Sequence, residues 1–242
     1  MMYHLRSMRP KKQINSSGIK ISKDSLFYIL ISHWKLKIFL GGIIVITFFA
    51  IFFLLQRYPL FPVKEMKESY LDLTIPFNPN AVYLYESLWF LIPIAPWLMN
   101  SKKDLFSYCK GVILMSILAF VIFFLYPTYF RYSPNFPHSN QTYAILINID
   151  NGRNAFPSLH AAFALFTALC FSLRYKNFFR VIIWIWAIAI LYSTLMIKQH
   201  VLLDIIAGTI LGIISYIFFI FIRKNKKLSH YKKNNFQNIL GK

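Results

Sequence analysis

Long runs of apolar residues alternate with short polar segments along the whole chain. Six runs cover residues 38–55, 83–99, 111–126, 155–173, 181–197 and 201–222. A helix needs about 20 mostly apolar residues to cross a hydrocarbon core of about 30 Å. The pattern therefore predicts an all-α, polytopic membrane protein with six transmembrane helices. Residues 38–222 form its membrane domain, and residues 1–37 and 223–242 are basic tails.

The second and third runs are marginal in length, and the second also contains residues that disturb a helix. Glu86, Pro93 and Pro96 lie within it. Proline in a helix interior removes a backbone hydrogen bond and kinks the helix, and an ionisable residue within a span faces the interior of the bundle. We therefore predict kinks and polar contacts in this span.

The basic residues indicate the orientation of the spans. If six helices cross the membrane, residues 1–37, 100–110, 174–180 and 223–242 share one side. These segments carry eight, three, three and seven lysine and arginine residues, which is 21 of the 27 in the chain. Cytoplasmic segments are enriched in lysine and arginine. Both termini are therefore predicted to be cytoplasmic, with the loops 56–82, 127–154 and 198–200 outside.

Composition supports a membrane protein and excludes some other classes. The chain is 57% apolar and 19% aromatic, which is high for a soluble domain. A net charge of +19 raises the question of nucleic acid, but the basic residues lie in tails and short loops, so we expect no nucleic-acid partner. Cys109 and Cys170 lie in or beside apolar runs and are expected to be packing residues. Abundant lysine, asparagine, isoleucine and phenylalanine favour a bacterial inner membrane as the location.

The first candidate motif is Asn154-Ala-Phe-Pro-Ser-Leu-His160, at the start of the fourth run. We place Pro157 and Ser158 in the first helical turn, where proline loses no hydrogen bond. Free backbone N–H groups and the helix dipole favour an anion there, and the Ser158 hydroxyl adds a donor beside His160. The alternative is structural: Pro157 and Ser158 begin the helix, and His160 is an interfacial polar residue.

The second candidate motif is Ser193-Thr-Leu-Met-Ile-Lys-Gln-His200-Val-Leu-Leu-Asp204. Residues four apart share a helical face, so Asp204 is placed to accept a hydrogen bond from one ring nitrogen of His200. The other nitrogen then becomes a base or a nucleophile, as beside the carboxylate of a catalytic triad. A purely structural pair remains the alternative, although an acid within an apolar helix costs about 2.5 to 3.5 kcal/mol on insertion scales.

Both motifs lie on the external face in the predicted orientation. Lys198 and Arg131 lie at the same membrane level as the histidines, where they are candidate clamps for a phosphate.

These two motifs resemble those of the type 2 phosphatidic acid phosphatase superfamily, a Pro-Ser-x-His element followed by Ser-Arg-x5-His-x3-Asp. The resemblance covers roughly residues 126–212. It implies that His200 is the nucleophile that becomes phosphorylated, that Asp204 orients it and that His160 protonates the leaving oxygen. Ser158 binds the phosphate in this scheme, water releases it from the histidine, and no metal or cofactor is required. The implied function is the hydrolysis of a lipid phosphate or diphosphate, whose head group reaches the interface while its chain stays in the bilayer.

The sequence departs from the family pattern at its basic residues. Thr194 stands where the family has arginine, and the usual first element, Lys-x6-Arg-Pro, is absent around Arg131. The Lys-Gln-His run is similar to a branch that includes inositol phosphorylceramide synthases. In that branch we expect Lys198 to replace the missing arginine.

Three other functions stay open at this level. A phosphotransferase that passes a phosphorylated head group between lipids would use the same histidines. A transporter or channel would place His160, His200 and Asp204 along an ion path, but it would also spread charged residues over several spans. The third is a non-catalytic family member, because Thr194 stands where the family has an arginine that binds phosphate.

Overall fold

The computed structural model describes residues 12–14, 20–22, 26–130, 140–150, 152–173, 175 and 178–240, with side chains described between 27 and 224. Helices dominate this part of the chain, as predicted. They are α1 Leu26–Ile31, α2 Trp34–Arg57, α3 Tyr70–Thr74, α4 Val82–Glu86, α5 Leu88–Trp97, α6 Lys102–Leu125, α7 Gln141–Ile149, α8 Leu159–Ser172, α9 Phe178–Met196 and α10 Leu202–Leu240. A 3-10 turn, Pro79–Ala81, precedes α4.

Two short strand pairs accompany the helices. β1 (Lys12–Ile14) pairs antiparallel with β2 (Lys20–Ser22). β3 (Lys64–Glu65) pairs in parallel with β4 (Thr128–Tyr129), so the loop after α2 meets the loop after α6. The second pair lies beside the segment that leads into α8, because Tyr129 also forms a bridge with Arg153.

Four helices are long and apolar enough to cross a membrane: Trp34–Arg57, Lys102–Leu125, Phe178–Met196 and Leu202–Lys224. Their outward faces carry many exposed apolar side chains, such as Ile46 on α2 and Ile185 on α9. Apolar side chains on the outside of a helical bundle are typical of contact with lipid. The protein is therefore an integral membrane protein, and its six-span arrangement and orientation remain predictions.

The second predicted span is broken into two helices. α4 ends at Glu86 and α5 begins at Leu88, with Pro93 and Pro96 inside α5. Ser87 lies at the break, where its hydroxyl oxygen accepts a hydrogen bond of 2.8 Å from the indole N–H of Trp186 on α9. The carboxylate of Glu86 accepts a hydrogen bond of 2.9 Å from the Trp89 indole, which supplies a polar contact of the kind predicted for this span.

The fourth predicted span corresponds to α8, which is shorter than expected. It has 14 residues, so it extends about 21 Å at about 1.5 Å per residue. α5, α6, α9 and α10 pack against it, and the side chains of Ala161, Phe166 and Ala168 are completely buried. Because neighbouring helices cover α8, its surroundings are mostly protein rather than lipid.

Small residues bring α10 very close to α8. A methyl group added to Gly208 would overlap the backbone oxygen of Ser158, and one added to Gly212 would lie 2.8 Å from the backbone oxygen of Ala162. Glycine allows helix backbones to approach each other in membranes. The two glycines therefore set the distance between the start of α8 and the first turns of α10, which carry the two motifs.

Gly208→Ala is expected to destabilise the protein, because the new methyl group meets backbone that cannot rotate away. Overpacking of this kind costs about 1 to 3 kcal/mol. Thermal unfolding in detergent measures the loss. Gly42→Ala is the matched control, since a methyl group at Gly42 meets no atom within 4 Å. Equal melting temperatures for the two variants would contradict a tight contact between α8 and α10.

Candidate active site

The first motif forms the start of α8. The helix begins at Leu159, four residues later than predicted, so Pro157 precedes the cap instead of lying in the first turn. Ser158 is the N-cap: its Oγ accepts a hydrogen bond of 3.4 Å from the backbone N–H of Ala161. The N–H of Ser158 donates to the backbone oxygen of Asp204 at 3.0 Å. Ser158 is completely buried, and its phosphate-binding role remains a prediction.

The second motif places His200 beside Asp204. Nδ1 of His200 lies 3.3 Å from Oδ2 of Asp204, and the same oxygen accepts a hydrogen bond of 3.1 Å from the backbone N–H of Val201. The sequence pattern predicts that the two residues share a helical face. Instead, α10 begins at Leu202, so His200 precedes the helix and contacts Asp204 in its first turn. A carboxylate in the first turn is favoured by the helix dipole, which lowers the cost of burying Asp204.

The two histidines lie close together although they belong to different helices. The ring centroids of His160 and His200 are 6.0 Å apart. The His160 ring stacks on Tyr85 with a centroid distance of 4.0 Å and meets the edge of Trp89 at 6.4 Å. These aromatic contacts restrict the orientation of the His160 ring, which lies beside the ring of His200.

Both histidines line a cavity of about 460 Å³. Its polar wall includes Glu86, Asp150, Arg153, Asn154, His160, Gln199 and His200. The remaining wall is mostly apolar and comes from α2, α4, α5, α7 and α8, including Phe48, Leu88 and Ile149. In the part of the chain that the structure describes, no group of three or more histidine, cysteine or acidic residues is arranged to hold a metal ion.

Lys198 is bound to a different part of the protein than its predicted role requires. Its Nζ donates to the backbone oxygen of Asp72 at 2.7 Å and lies 3.5 Å from a carboxylate oxygen of Glu68. The Asp72 side chain in turn accepts a hydrogen bond of 2.7 Å from the backbone N–H of Leu202. Lys198 and Asp72 thus tie the α3 segment to both sides of His200.

Two further positions were compared with basic residues of the family, and neither has a described side chain that contacts the cavity. Arg131 lies outside the described residues. Thr194, at the position of the family arginine, is completely buried, and its hydroxyl donates to the backbone oxygen of Leu191 at 2.8 Å. The side chain of Thr194 therefore completes a hydrogen bond within α9.

Asp150, Arg153 and Gln199 also line the cavity and had not been identified from the sequence. Arg153 was counted only as a basic residue of an external loop, although it lies five residues before Ser158. Asp150 accepts hydrogen bonds from Gln56 (2.9 Å) and from the backbone N–H of Gly152 (3.1 Å). Burial raises the pKa of the Asp150 carboxyl, while the Gly152 N–H, His200 and Gln56 oppose that shift.

Comparison with known proteins agrees with this arrangement. The profile of the PAP2 superfamily matches residues 60–218, which is more than half of the chain and includes both motifs. No curated protein and no solved structure matches the sequence significantly. Members of the superfamily are phosphatases or phosphotransferases. The chain therefore belongs to the PAP2 superfamily, the type 2 phosphatidic acid phosphatase superfamily that its two histidine motifs resemble.

Proposed function

We propose that this protein is a membrane-embedded phosphatase that hydrolyses a lipid phosphomonoester or diphosphate at the external membrane face, through a phosphohistidine intermediate. The observation that carries the proposal is the pair of histidine rings, 6.0 Å apart, at the polar wall of a largely apolar cavity. A nucleophile lies about 3 to 3.5 Å from the atom it attacks, and an acid lies about 2.6 to 3.2 Å from the oxygen it protonates. One phosphoryl group between the two rings is compatible with both distances.

The first step is attack by His200. Because Asp204 contacts Nδ1, the nitrogen left for the substrate is Nε2. Nε2 forms a bond to phosphorus with its lone pair while the P–O bond to the lipid breaks. His160 donates its proton to the leaving oxygen, so the lipid departs as an alcohol and His160 becomes neutral.

The second step releases phosphate. A water molecule attacks the phosphorus of phosphohistidine and gives a proton to His160. The P–N bond breaks, its electron pair returns to Nε2 of His200, and inorganic phosphate leaves. The enzyme has then regained its starting protonation, since His160 is charged again. Asp204 stabilises the charge that builds up on the His200 ring in both steps.

The apolar wall of the cavity supports a lipid substrate. Phe48, Phe49, Phe52 and Phe53 of α2 contribute to this wall, and Ile145 of α7 faces the same space. Burial of a hydrocarbon chain against such side chains contributes about 0.8 kcal/mol per CH₂ group. A soluble phosphate ester would gain nothing from them.

A head-group phosphotransferase is the second candidate. The cavity of about 460 Å³ is much larger than a phosphate group, so it has room for an acceptor beside the phosphohistidine. An acceptor hydroxyl would replace water in the second step. The purified protein in detergent should be assayed against a panel of lipid phosphates, with and without a hydroxylated lipid. Phosphate release alone supports hydrolysis, whereas a new phosphorylated lipid identifies transfer. Neither product with any substrate would contradict both functions.

The external position of the site leads to a labelling prediction. A cysteine introduced at Gln141, an exposed residue of the predicted external loop 127–154, is expected to react with an impermeant thiol reagent added to intact cells, because 21 of 27 basic residues lie on the other side. A cysteine introduced at Asn177 should react only after the cells are opened. The native cysteines Cys109 and Cys170 are buried and give a low background. The reverse pattern would place the active site in the cytoplasm.

A further inference from the structure

The described part of the cavity holds a cation that neither motif contains. Within the described chain, Arg153 is the one lysine or arginine that lines the cavity shared by His160 and His200. Two carboxylates, Glu86 and Asp150, line the same cavity. Without a nearby cation, these acids would oppose the binding of a phosphate, since like charges repel strongly where water is scarce.

Contacts at both ends hold Arg153 in place. Its backbone is bridged to Tyr129, and its Nη1 donates to the backbone oxygen of Gln56 at 3.0 Å, at the end of α2. A guanidinium group carries five N–H donors, and its planar fork matches a pair of phosphate oxygens. Because Arg153 lines the cavity, its guanidinium group has the charge and the fork geometry to bind an oxyanion there.

Gln199 supplies an independent observation at the same place. It precedes His200 directly, lines the cavity and is only 3% exposed. Within the described residues its Nε2 has no hydrogen-bond partner. Leaving a buried amide unpaired is costly, so its presence in a cavity wall indicates that a ligand oxygen completes the bond.

We propose that Arg153 and Gln199 bind the phosphoryl oxygens of the substrate beside His200. They would thereby fill the position that the sequence pattern assigns to Lys198. The inference rests on the proposed function, because it concerns the phosphate of the same substrate. Arg153 neutralises charge on the phosphoryl group, and Gln199 orients one of its oxygens toward the neighbouring histidine.

Orthovanadate tests this proposal, because it is a phosphate-like oxyanion whose binding can be measured with or without turnover. Its inhibition constant against lipid phosphate hydrolysis and its effect on the melting temperature should be measured on the full chain in detergent. Arg153→Met is expected to raise the inhibition constant about 10- to 100-fold, the range for losing a hydrogen bond to a charged group. It should also abolish the stabilisation by orthovanadate.

Arg57→Met is the matched control for Arg153→Met. Arg57 is exposed in the last turn of α2, so it shares the favourable position near the helix C-terminus without lining the cavity. A purely structural Arg153, one that only caps α2, would lower the melting temperature of the ligand-free protein and leave orthovanadate affinity unchanged. Unchanged affinity in folded Arg153→Met would overturn the proposal for this residue.

Gln199→Leu keeps the test decisive if Arg153→Met does not fold. Leucine is an apolar side chain of similar size, so the substitution removes the cost of burying an unpaired amide. The ligand-free variant should therefore melt at a higher temperature than the wild-type protein. Orthovanadate should nevertheless bind about 10-fold more weakly. If the Gln199→Leu variant were more stable and still bound orthovanadate as tightly as the wild-type protein, a role for Gln199 in binding would be contradicted.

Failure of the proposed function is distinguishable in the same experiment. If the wild-type protein hydrolyses no lipid phosphate but is stabilised by orthovanadate through Arg153, the anion site stands and the phosphatase activity does not. If the wild-type protein is active and both variants bind orthovanadate normally, the activity stands and the binding pair is wrong.

Discussion

His160→Ala is expected to reduce the hydrolysis of an alkyl lipid phosphate by about 10²- to 10⁴-fold, the range for lost general acid catalysis. An aryl phosphate with an acidic phenol needs no proton on its leaving group, so much of the loss should disappear with that substrate. Steady-state rates with matched alkyl and aryl substrates measure the difference. Equal losses on both substrates would indicate that His160 binds phosphate and does not donate a proton.

His200→Ala is expected to abolish activity on both substrates, because no leaving group compensates for a missing nucleophile. Asp204→Asn should lie between the two histidine variants, since the ring is still present but is poorly oriented. His33→Ala is the control, as His33 precedes α2 and lies in the predicted cytoplasmic segment. Mild and equal effects at His160, His200 and Asp204 would contradict catalysis by these residues.

Lys198→Met is expected to lower kcat about 10- to 100-fold while changing orthovanadate affinity by less than about threefold. The reason is its position: Nζ contacts Asp72 and Glu68, so its loss frees the loop that carries His200. A misplacement of about 1 Å at a catalytic group can cost about 10²-fold in rate. Steady-state kinetics with orthovanadate as inhibitor separates this positioning role from the direct clamp that the sequence suggests.

Lys67→Met is the matched control, because Lys67 is an exposed lysine of the same segment. It should leave kcat unchanged. Glu68→Gln removes the ionic partner of Lys198 and should lower kcat in the same direction, by a smaller factor, since the contact with the Asp72 backbone oxygen remains. A large rise in the orthovanadate inhibition constant for Lys198→Met would show instead that Lys198 reaches the phosphate.

The helical membrane fold and the family were predictable from the sequence. Runs of apolar residues report helices directly, since an apolar helix satisfies its own backbone hydrogen bonds and needs no information from distant segments. The contact between His200 and Asp204 was also readable, because a contact between residues four apart depends on local geometry. Ser158 was correctly placed at the start of a helix, but it is the N-cap and does not lie in the first turn.

The exact starts of the helices were less predictable. α8 begins at Leu159 and not at residue 155, whereas α10 begins at Leu202, one residue after the predicted start of the sixth run. The apolar pattern changes little across these boundaries, whereas hydrogen bonds between the motifs decide them: the N–H of Ser158 donates to Asp204, 46 residues further along the chain. α7 was not predicted either, since its nine residues are too few to form a span.

The sequence by itself determined that this is a helical membrane protein of the PAP2 superfamily, with paired histidine motifs. Only the tertiary structure decided which side chains surround those histidines. Lys198 contacts Asp72, which is 126 residues away, while Arg153 and Gln199 line the cavity. The physical reason is the separation in sequence between interacting residues. Helix caps and helical faces depend on residues a few positions apart, whereas the partner of a long charged side chain depends on which distant segment packs beside it.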